Sequence, residues 1–525
     1  MRKYPIGIQN FQKLREGSFV YVDKTKYVYE LTQQAGYYFL SRPRRFGKSL
    51  LISTLQALYE GKKELFTGLF IADKWDWSQR NPTIMIYFNQ MSLRDLGLKA
   101  SLLTTLKHEA ERHQITLQEE GVGFMFQELI QKLHAKTGRK VVVLIDEYDK
   151  PIVDFLEELE IAEANRNILK SFYGILKPAD EHLEFVLLTG VSKFAKVSVF
   201  SDLNNLNDVS LDQKFSAIAG ITQTELEVNF AEELLDLSSI KDVSPSELMA
   251  KIKFWYNGYS WRGMEKVYNP FSLLNFFSKN GDFQNYWFST GTPTWLVQEV
   301  LKNRDFDFTN LEIDESSLES FDFRNLYPPT LLFQTGYLTI KSYNETDRIF
   351  TLDYPNEEVR SSLYQYLLQA FRFKQSDASV PHILRLRAAL RENDMAAAIK
   401  TINIVFSTIP YDLWQRENEP GGVPHFYHAL IHLTFTLLGV YVQSEVHTAR
   451  GRCDAVVQTD KYIYAFEFKL SDERTHKTAQ EALDQIFAKG YLTPYAQSGK
   501  QCYAVGVNFS TQLKAVENWL AVEVK

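Results

Sequence analysis

The sequence predicts an α/β protein built from two sheet-containing regions separated by mostly helical segments. Short runs of consecutive apolar residues alternate with helical patterns in the N-terminal part. Helical patterns with aromatic-rich pieces dominate the middle. Near the C-terminal end, three strand patterns precede a single helix and a fourth follows it. Strands buried on both faces lack alternating polar residues, so the N-terminal runs predict a parallel sheet with helices on both faces.

The elements of the N-terminal sheet can be placed one by one. Strand patterns occupy residues 37–40, 83–88, 141–145 and 185–189, and helical patterns occupy 48–59 and 93–112. A helical and winged lid is expected at 222–345, and a helical connector at 346–410. The C-terminal elements are a helix at 425–438, strands near 440–447, 453–458, 462–468 and 501–508, and a helix at 477–490. The predicted domains are therefore residues 1–221, 222–345, 346–410 and 411–525.

Composition excludes several classes of protein. The 525 residues are 45% apolar and carry a net charge of −7, which argues against disorder and against a generally basic nucleic-acid coat. Two cysteines cannot build a disulfide framework or a cysteine-rich zinc site. Residues 1–50 nevertheless hold ten Lys and Arg against three acids, a local charge of +7 that suits an anionic ligand such as a nucleotide.

The chain shows no targeting or membrane pattern. Its first ten residues lack the apolar core of a signal peptide. The longest apolar stretch, 429–442, is too short to span a bilayer and contains His432. We therefore expect a cytoplasmic protein without membrane partners, and a homo-oligomer is compatible with the sequence.

Residues 42–49 (RPRRFGKS) lie between a strand pattern and a helical pattern, where a P-loop would lie. Gly47, Lys48 and Ser49 match that motif, whereas Arg42 stands where its first glycine is expected. Lys48 would reach the β- and γ-phosphates of ATP, and Ser49 would bind Mg²⁺. The alternative is a basic loop followed by an ordinary helix.

A second half of a nucleotide site follows about 95 residues later. The apolar run 141–145 ends in Asp146 and Glu147, a Walker B pattern in which the first acid holds Mg²⁺ and the second orients or deprotonates the attacking water. The alternative is a buried strand that stops at a charged turn. Thr189 ends the next strand and would sense the γ-phosphate or simply cap a turn. Together the two halves predict a P-loop NTPase domain that uses ATP and Mg²⁺.

The C-terminal region carries a second constellation. Asp454 opens one strand, and Glu467 and Lys469 lie on the next, on one face because side chains alternate along a strand. A hairpin would bring the two carboxylates together to bind Mg²⁺ or Mn²⁺, and Lys469 would orient or activate a water against a phosphodiester. The alternative is an exposed edge hairpin of alternating charge.

These segments together resemble a known family. Residues 21–25 (YVDKT), 39–49 (FLSRPRRFGKS) and 144–149 (LIDEYD), with 256–259 (YNGY) and 268–271 (YNPF), resemble bacterial AAA-ATPase-like proteins that carry a nuclease-superfamily domain at the C-terminus. The resemblance implies that Arg44 and Arg45 supply charge to the phosphates; the alternatives are solvated charge or a bridge to an acidic lid.

Residues 411–525 resemble the PD-(D/E)XK nuclease superfamily, in which a restriction-endonuclease-like α/β domain cuts nucleic acid. The resemblance makes Gln485 the polar contribution of the helix after the E-x-K strand. It also exposes a departure, because helix 425–438 has no acid; Glu445 would substitute as a metal ligand, or the site would use two carboxylates. His428 and His432 lie one helical turn apart, and packing is the simpler explanation for them.

Two functional hypotheses remain open. In the first, ATP binding and hydrolysis control a metal-dependent nuclease. In the second, the nucleotide sets a conformation and the C-terminal domain binds nucleic acid or a partner without cutting. Residues 421–525 hold ten Lys and Arg against ten Asp and Glu, which favours the second. The intact pattern of Asp454, Glu467 and Lys469 favours the first.

Overall fold

The computed structural model describes most of the chain. The described residues are 2–193, 200, 203, 205–287, 308–319, 327–371, 379–407, 442–448, 451–472, 476–496 and 498–524; at 319, 368–371, 379–384, 407, 442–448 and 451–452 only the backbone is described. The described residues up to 287 and Phe308–Val359 form one compact unit, and those from Arg360 onward form a second. Within this part of the chain, no helix combines the length and apolar character needed to cross a membrane.

A five-stranded parallel sheet organises the first unit. Its spatial order is β2-β3-β4-β1-β5. The strands are β1 (Gly36–Ser41), β2 (Thr83–Tyr87), β3 (Val141–Asp146), β4 (Leu183–Gly190) and β5 (Leu206–Asp208). Every residue of β3 is buried, so both faces of the sheet are covered, as the continuous apolar runs predict. The carboxyl ends of β1, β4 and β3 lie side by side at one edge.

Helices separate these strands along the chain. They are α1 (Phe11–Glu16), α2 (Thr25–Leu31), α3 (Lys48–Tyr59), α4 (Leu93–Arg112), α5 (Val122–Thr137), α6 (Lys150–Val153) and α7 (Leu159–Gly174). The predicted helices 48–59 and 93–112 match α3 and α4. Gly97 interrupts α4 with a φ of 73°, a conformation that glycine adopts without a steric penalty.

A helical layer and a small sheet follow in the same unit. The helices are α8 (Gln223–Asn229), α9 (Ala231–Ile240), α10 (Pro245–Tyr256), α11 (Pro270–Ser278), α12 (Glu315–Glu319) and α13 (Pro328–Thr335). Strands β6 (Ile221–Thr222) and β7 (Val267–Tyr268) pair, and β8 (Leu311–Asp314), β9 (Thr339–Asn344) and β10 (Ile349–Asp353) form a separate antiparallel sheet. Phe230 and Phe277 stack at 4.6 Å in the core of the helical layer.

The second unit contains a mixed five-stranded sheet in the order β11-β12-β13-β14-β15. The strands are β11 (Val442–Thr448), β12 (Gly451–Gln458), β13 (Tyr462–Ser471), β14 (Gln501–Ser510) and β15 (Ala515–Val524). Only β13 and β14 pair in parallel, and α17 (Ala479–Lys489) connects them. The other helices are α14 (Glu357–Phe371), whose first residues belong to the first unit, α15 (Ser379–Arg391) and α16 (Met395–Ser407). Helix α17 packs Leu483 and Ile486 into the apolar core.

Candidate functional sites

The phosphate loop connects β1 to α3. Gly47 is the N-cap residue of α3 and has a φ of 96°, which a residue with a side chain rarely adopts. Lys48 begins the helix and is 6% exposed. Its ammonium group donates hydrogen bonds to the carbonyl oxygens of Arg42 and Pro43, at 2.8 and 3.0 Å. The loop carbonyls therefore hold the buried ammonium group of Lys48 at the helix N-terminus, an arrangement that suits phosphate oxygens.

Two hydroxyl groups orient the Walker B aspartate. Ser49 Oγ donates to Asp146 Oδ2 at 2.5 Å, and Thr189 Oγ1 donates to Asp146 Oδ1 at 2.6 Å. Asp146 and Thr189 are fully buried. The structure thus brings together Ser49 from the first turn of α3 with Asp146 and Thr189 from the ends of the neighbouring strands β3 and β4. Thr189 contacts the aspartate, and its role as a γ-phosphate sensor stays a prediction.

The electrostatics around Lys48 shift several pKa values. Burial lowers the pKa of Lys48, while the carboxylates of Asp146, Glu147 and Asp149 oppose that shift. Burial also raises the pKa of Glu147, as do its two neighbouring carboxylates, while Lys48 opposes the shift. A carboxylate with a raised pKa is a better proton acceptor near neutral pH, which is what a general base for water requires.

A cavity of about 400 Å³ opens beside this cluster. Lys48, Ser49 and Glu147 are part of its lining. The lining also contains residues to which the sequence assigned no function: Pro5, Ile6, Ile8, Phe271, Leu274 and Trp287. Phe271 belongs to the YNPF segment, which is the one sequence signal for this lining; residues 5–9 carry no binding motif. These apolar residues suit the base of a nucleotide.

The three loop arginines have different environments. Arg44 and Arg45 are exposed and line the cavity, and their role in adding charge near phosphates stays a prediction. The Arg45 guanidinium lies 4.8 Å from the centre of the Phe271 ring, and the Arg44 carbonyl accepts a hydrogen bond from Trp287 Nε1 at 3.1 Å. Arg42 is 1% exposed and is absent from the cavity lining.

Arg42, which stands where a P-loop has its first glycine, is held away from the cavity. Its guanidinium donates to the carbonyl oxygens of Ser41, Ser210 and Phe215, at 2.8, 2.8 and 3.0 Å, and stacks 4.3 Å from the centre of the Trp261 ring. The side chain therefore anchors the start of the loop to the segment after β5. Other basic residues of the N-terminal +7 region also bind protein groups, since Arg2 and Lys24 pair with Glu233 and Glu225.

The C-terminal constellation forms on β12 and β13. The antiparallel register pairs Ala455 with Phe466 and so brings Asp454 beside Glu467. Asp454 Oδ2 accepts the backbone N–H of Phe468 at 2.8 Å. Lys469 Nζ donates to Glu467 Oε1 at 3.0 Å, so both side chains lie on one face as the strand period requires.

Gln485 on α17 completes this cluster. Its Oε1 accepts from Lys469 Nζ at 2.6 Å, and its Nε2 donates to Glu467 Oε1. The same Nε2 lies 3.4 Å from the Tyr491 hydroxyl, a buried neighbour that the sequence did not identify as part of the site. Gln485 therefore fixes the lysine and the glutamate relative to each other.

Glu467 has an electrostatic environment suited to a cation. Burial and the Asp454 carboxylate raise the pKa of Glu467 to about 7, while Lys469 opposes the shift. Glu467 Oε2 is buried and accepts no hydrogen bond from any residue that the structure describes. A buried carboxylate oxygen without a donor is costly, and a hard divalent cation would satisfy it. Asp454 and Glu467 therefore fit the Mg²⁺ or Mn²⁺ predicted from the sequence.

Some predicted residues lie partly or wholly outside the described part. The backbone of Glu445 lies on β11, and the pairs Ser444–Ala455 and Val446–Cys453 set its position opposite Asp454; its side chain is not described. Helix 425–438 with His428 and His432 lies outside the described residues. Cys453 is buried in the core, as a lone strand cysteine usually is.

Comparisons with known proteins match both of the domains that carry these clusters. A family described as predicted AAA-ATPase matches residues 5–200, and the PD-(D/E)XK nuclease superfamily matches residues 424–519. An uncharacterized protein in the vnfD 5' region of Azotobacter chroococcum mcd 1 is 41% identical over 98% of this chain and 98% of its own length. The chain belongs to the AAA-ATPase-like family with a C-terminal PD-(D/E)XK nuclease superfamily domain.

The AAA-ATPase-like match includes β1 to β4 and ends before β5. The nuclease-superfamily match includes β11 to β14, with Asp454 and Glu467, and ends within β15. The crystal structure of Cdc6p from Pyrobaculum aerophilum covers 70% of this chain and 94% of its own, with 10% identity and a TM-score of 0.24. That likeness is too weak to carry an argument. The fold class rests on the parallel strand order, the mixed C-terminal sheet and the two family matches.

Proposed function

We propose that this AAA-ATPase-like chain binds and hydrolyses ATP, and that its nucleotide state gates a metal-dependent nuclease in the C-terminal domain. The observation that carries the first part is the Ser49–Asp146–Thr189 cluster beside a cavity lined by Lys48 and Glu147. The second part rests on the buried Glu467 oxygen beside Asp454 and Lys469.

At the N-terminal site, the chain supplies charge and a base. Lys48 would exchange its loop carbonyls for the β- and γ-phosphate oxygens of ATP. Ser49 and Asp146 would hold Mg²⁺, which neutralises phosphate charge when bound. Glu147 would accept the proton of the attacking water, and its raised pKa favours that step.

At the C-terminal site, Asp454 and Glu467 would hold Mg²⁺ or Mn²⁺. The cation would supply stabilisation of the charge that develops on a phosphodiester. Lys469 would hydrogen-bond the attacking water, and Gln485 would keep Lys469 in place through its 2.6 Å contact. These groups handle a phosphodiester without reading bases, so the proposal names nucleic acid as the substrate class.

A non-cutting switch is the second candidate. The equal numbers of acidic and basic residues in 421–525 provide no general attraction for a polyanion, and Lys469 and Gln485 already occupy Glu467 Oε1. In this case ATP sets a conformation, and the nuclease-like domain binds nucleic acid or a protein.

A cleavage assay on the full chain separates the two candidates. Plasmid, linear double-stranded and single-stranded DNA, and RNA, are incubated with Mg²⁺ or Mn²⁺ in the presence of ATP, a non-hydrolysable ATP analogue or no nucleotide. We expect metal-dependent cleavage whose rate changes with the nucleotide, and no cleavage by Lys469→Ala, which still binds Mn²⁺ because an ammonium group is no metal ligand. Tight nucleic-acid binding without cleavage in every condition would establish the switch instead.

A further inference from the structure

The last residue of β4 and the two residues after it are held from both neighbouring strands. We call residues 190–192 the β4 segment. Ser41 Oγ, at the end of β1, donates to the Val191 carbonyl at 2.7 Å. The backbone N–H of Arg42 donates to the Gly190 carbonyl at 3.1 Å. From the Walker B side, the Tyr148 hydroxyl donates to the Ser192 carbonyl at 2.8 Å. The end of β4 therefore links the Walker A and Walker B sides of the site.

Asp149 makes the strongest connection to this segment. Its Oδ2 accepts the backbone N–H and the hydroxyl of Ser192, at 2.7 and 2.6 Å, and the N–H of Val191 at 3.1 Å. Asp149 is 2% exposed. Burial raises its pKa, whereas the hydrogen bonds from Ser192 oppose the shift because they stabilise the charged form. Hydrogen bonds to an ionised carboxylate are about twice as strong as those between neutral groups.

Gly190 provides the space for this connection. A Cβ atom at position 190 would lie 2.4 Å from the Tyr148 ring and 2.8 Å from Asp149 Oδ1. Both distances are well below van der Waals contact, so any side chain there would push the Walker B turn away from β4. The close approach of Tyr148 and Asp149 to the segment is thus specific to glycine.

Glu147 sits inside the turn that these contacts hold. Its φ is 56°, in the left-handed region, which costs a non-glycine residue about 1–2 kcal/mol. Such a conformation persists only where the surrounding structure over-determines it. Asp146 on one side of Glu147 is held by Thr189, and Asp149 on the other is held by the β4 segment.

We propose that Asp149 is a positioning residue that ties the Walker B turn to the β4 segment and so holds Glu147 for hydrolysis. This inference rests on the proposed ATP hydrolysis. Asp149 Oδ2 already accepts three hydrogen bonds from the β4 segment, so this oxygen is directed at the segment. Its contribution is therefore to the geometry of the base, and ATP binding, which depends on the phosphate loop, should be independent of it.

The test compares binding with turnover in purified full-length chain. Asp149→Asn keeps the size of the side chain but removes the charge and places an amide where three donors converge. We expect ATP affinity close to that of the wild type, and single-turnover hydrolysis slower by on the order of tenfold or more, since misplaced groups cost rate. Ser192→Ala removes one donor and keeps the charge, so it should slow hydrolysis less, again without loss of affinity.

Asp180→Asn is the matched control. Asp180 accepts a hydrogen bond from Tyr37 at 2.8 Å and precedes β4, at the opposite end of that strand. It should lower the melting temperature without slowing hydrolysis by the folded protein.

The inference is overturned if Asp149→Asn hydrolyses ATP as fast as the wild type, or if it loses ATP affinity by as large a factor as it loses hydrolysis rate. If Asp149→Asn does not fold, Ser192→Ala decides by the same criteria. If the wild-type chain does not hydrolyse ATP, the proposed ATPase activity is refuted. The wild-type measurement alone shows this, so that failure is distinguishable from a failure of the role proposed for Asp149.

Discussion

Asp146 shows at the scale of one residue how distant parts of the chain build the nucleotide site. Its two oxygens accept hydrogen bonds from Ser49 and Thr189, which lie 97 and 43 positions away in the sequence. Both hydroxyls point their protons at the aspartate, so it stays oriented before any cation binds. Among the residues that the structure describes, none holds the Glu147 side chain by a hydrogen bond, and the left-handed backbone of Glu147 sets its direction.

We predict that Glu147→Gln binds ATP normally and hydrolyses it slowly. The amide keeps the shape of the side chain but cannot accept a proton, so turnover should fall on the order of 10²-fold or more if Glu147 is the general base. Fluorescent-analogue titration measures affinity, and phosphate release measures turnover. Unchanged turnover would remove Glu147 from the role of base.

We predict that Mn²⁺ affinity at the C-terminal site rises with pH. Glu467 has a folded pKa of about 7 and must lose its proton to bind a cation. Below pH 7 the affinity should therefore rise by about tenfold per pH unit and then level off above it, as expected when binding releases one proton. Calorimetric titrations with Mn²⁺ between about pH 5.5 and about pH 8.5, on both sides of the pKa, measure this slope. A flat profile would show that Glu467 is no ligand.

The raised pKa of Glu467 also makes the stability of the metal-free protein depend on pH. Because the folded pKa of Glu467 lies above its value in the unfolded chain, its contribution to stability is present at low pH and is lost as pH rises through about 7. In EDTA, Glu467→Gln should therefore lose less stability than the wild type between about pH 4 and about pH 8, a range that spans both pKa values. Denaturant unfolding at the two pH values measures the difference, and equal losses would contradict the shift.

At the scale of elements, the contact between α17 and β14 decides whether the C-terminal site assembles. Gly506 on β14 pairs with Glu467 on β13. A Cβ atom at position 506 would lie 2.2 Å from the carbonyl oxygen of Ala479 and 2.7 Å from the nitrogen of Leu483, both backbone atoms of α17. Glycine there lets the helix approach closely enough for Gln485 to reach Glu467.

We predict that Gly506→Ala separates α17 from the sheet. Backbone atoms cannot move aside as a flexible side chain would, so the substitution should destabilise the second unit by about 1–3 kcal/mol. Gln485 would lose its contacts, and metal-dependent cleavage should fall more than Mn²⁺ affinity. Ala504→Gly, on the same strand, is the control for the general effect of exchanging glycine and alanine in β14. A Gly506→Ala protein with wild-type stability would contradict the close packing.

At the scale of the whole molecule, the two sites belong to two compact units, and each unit should respond to its own ligand. We predict that ATP with Mg²⁺ and Mn²⁺ alone each raise the melting temperature, since a ligand at a hundred times its Kd stabilises the folded state by about 2.7 kcal/mol. Lys48→Ala should lose the ATP response and keep the Mn²⁺ response, and Asp454→Ala should do the reverse. If either substitution abolishes both responses, the sites do not bind independently.

The sequence alone determined the features that short windows of residues encode. Five consecutive apolar residues indicated the buried strand β3, and the fold class, a parallel α/β sheet with a C-terminal α/β domain, is confirmed. The groups Gly47-Lys48-Ser49 and Asp146-Glu147 are adjacent along the chain. The strand period alone places Glu467 and Lys469 on one face. The periodicity and local chemistry of neighbouring residues suffice for these predictions.

The tertiary structure decided what depends on contacts between distant segments. The Arg42 side chain binds the segment after β5 and does not line the cavity, because the carbonyl oxygens of Ser210 and Phe215 in that segment accept its hydrogen bonds. Residues 5–9 line the cavity, and Gly190 and Gly506 admit close neighbours. No local pattern marks these positions, since their partners lie far along the chain. Their roles follow from close packing of the folded chain, where the space around each atom depends on all its neighbours at once.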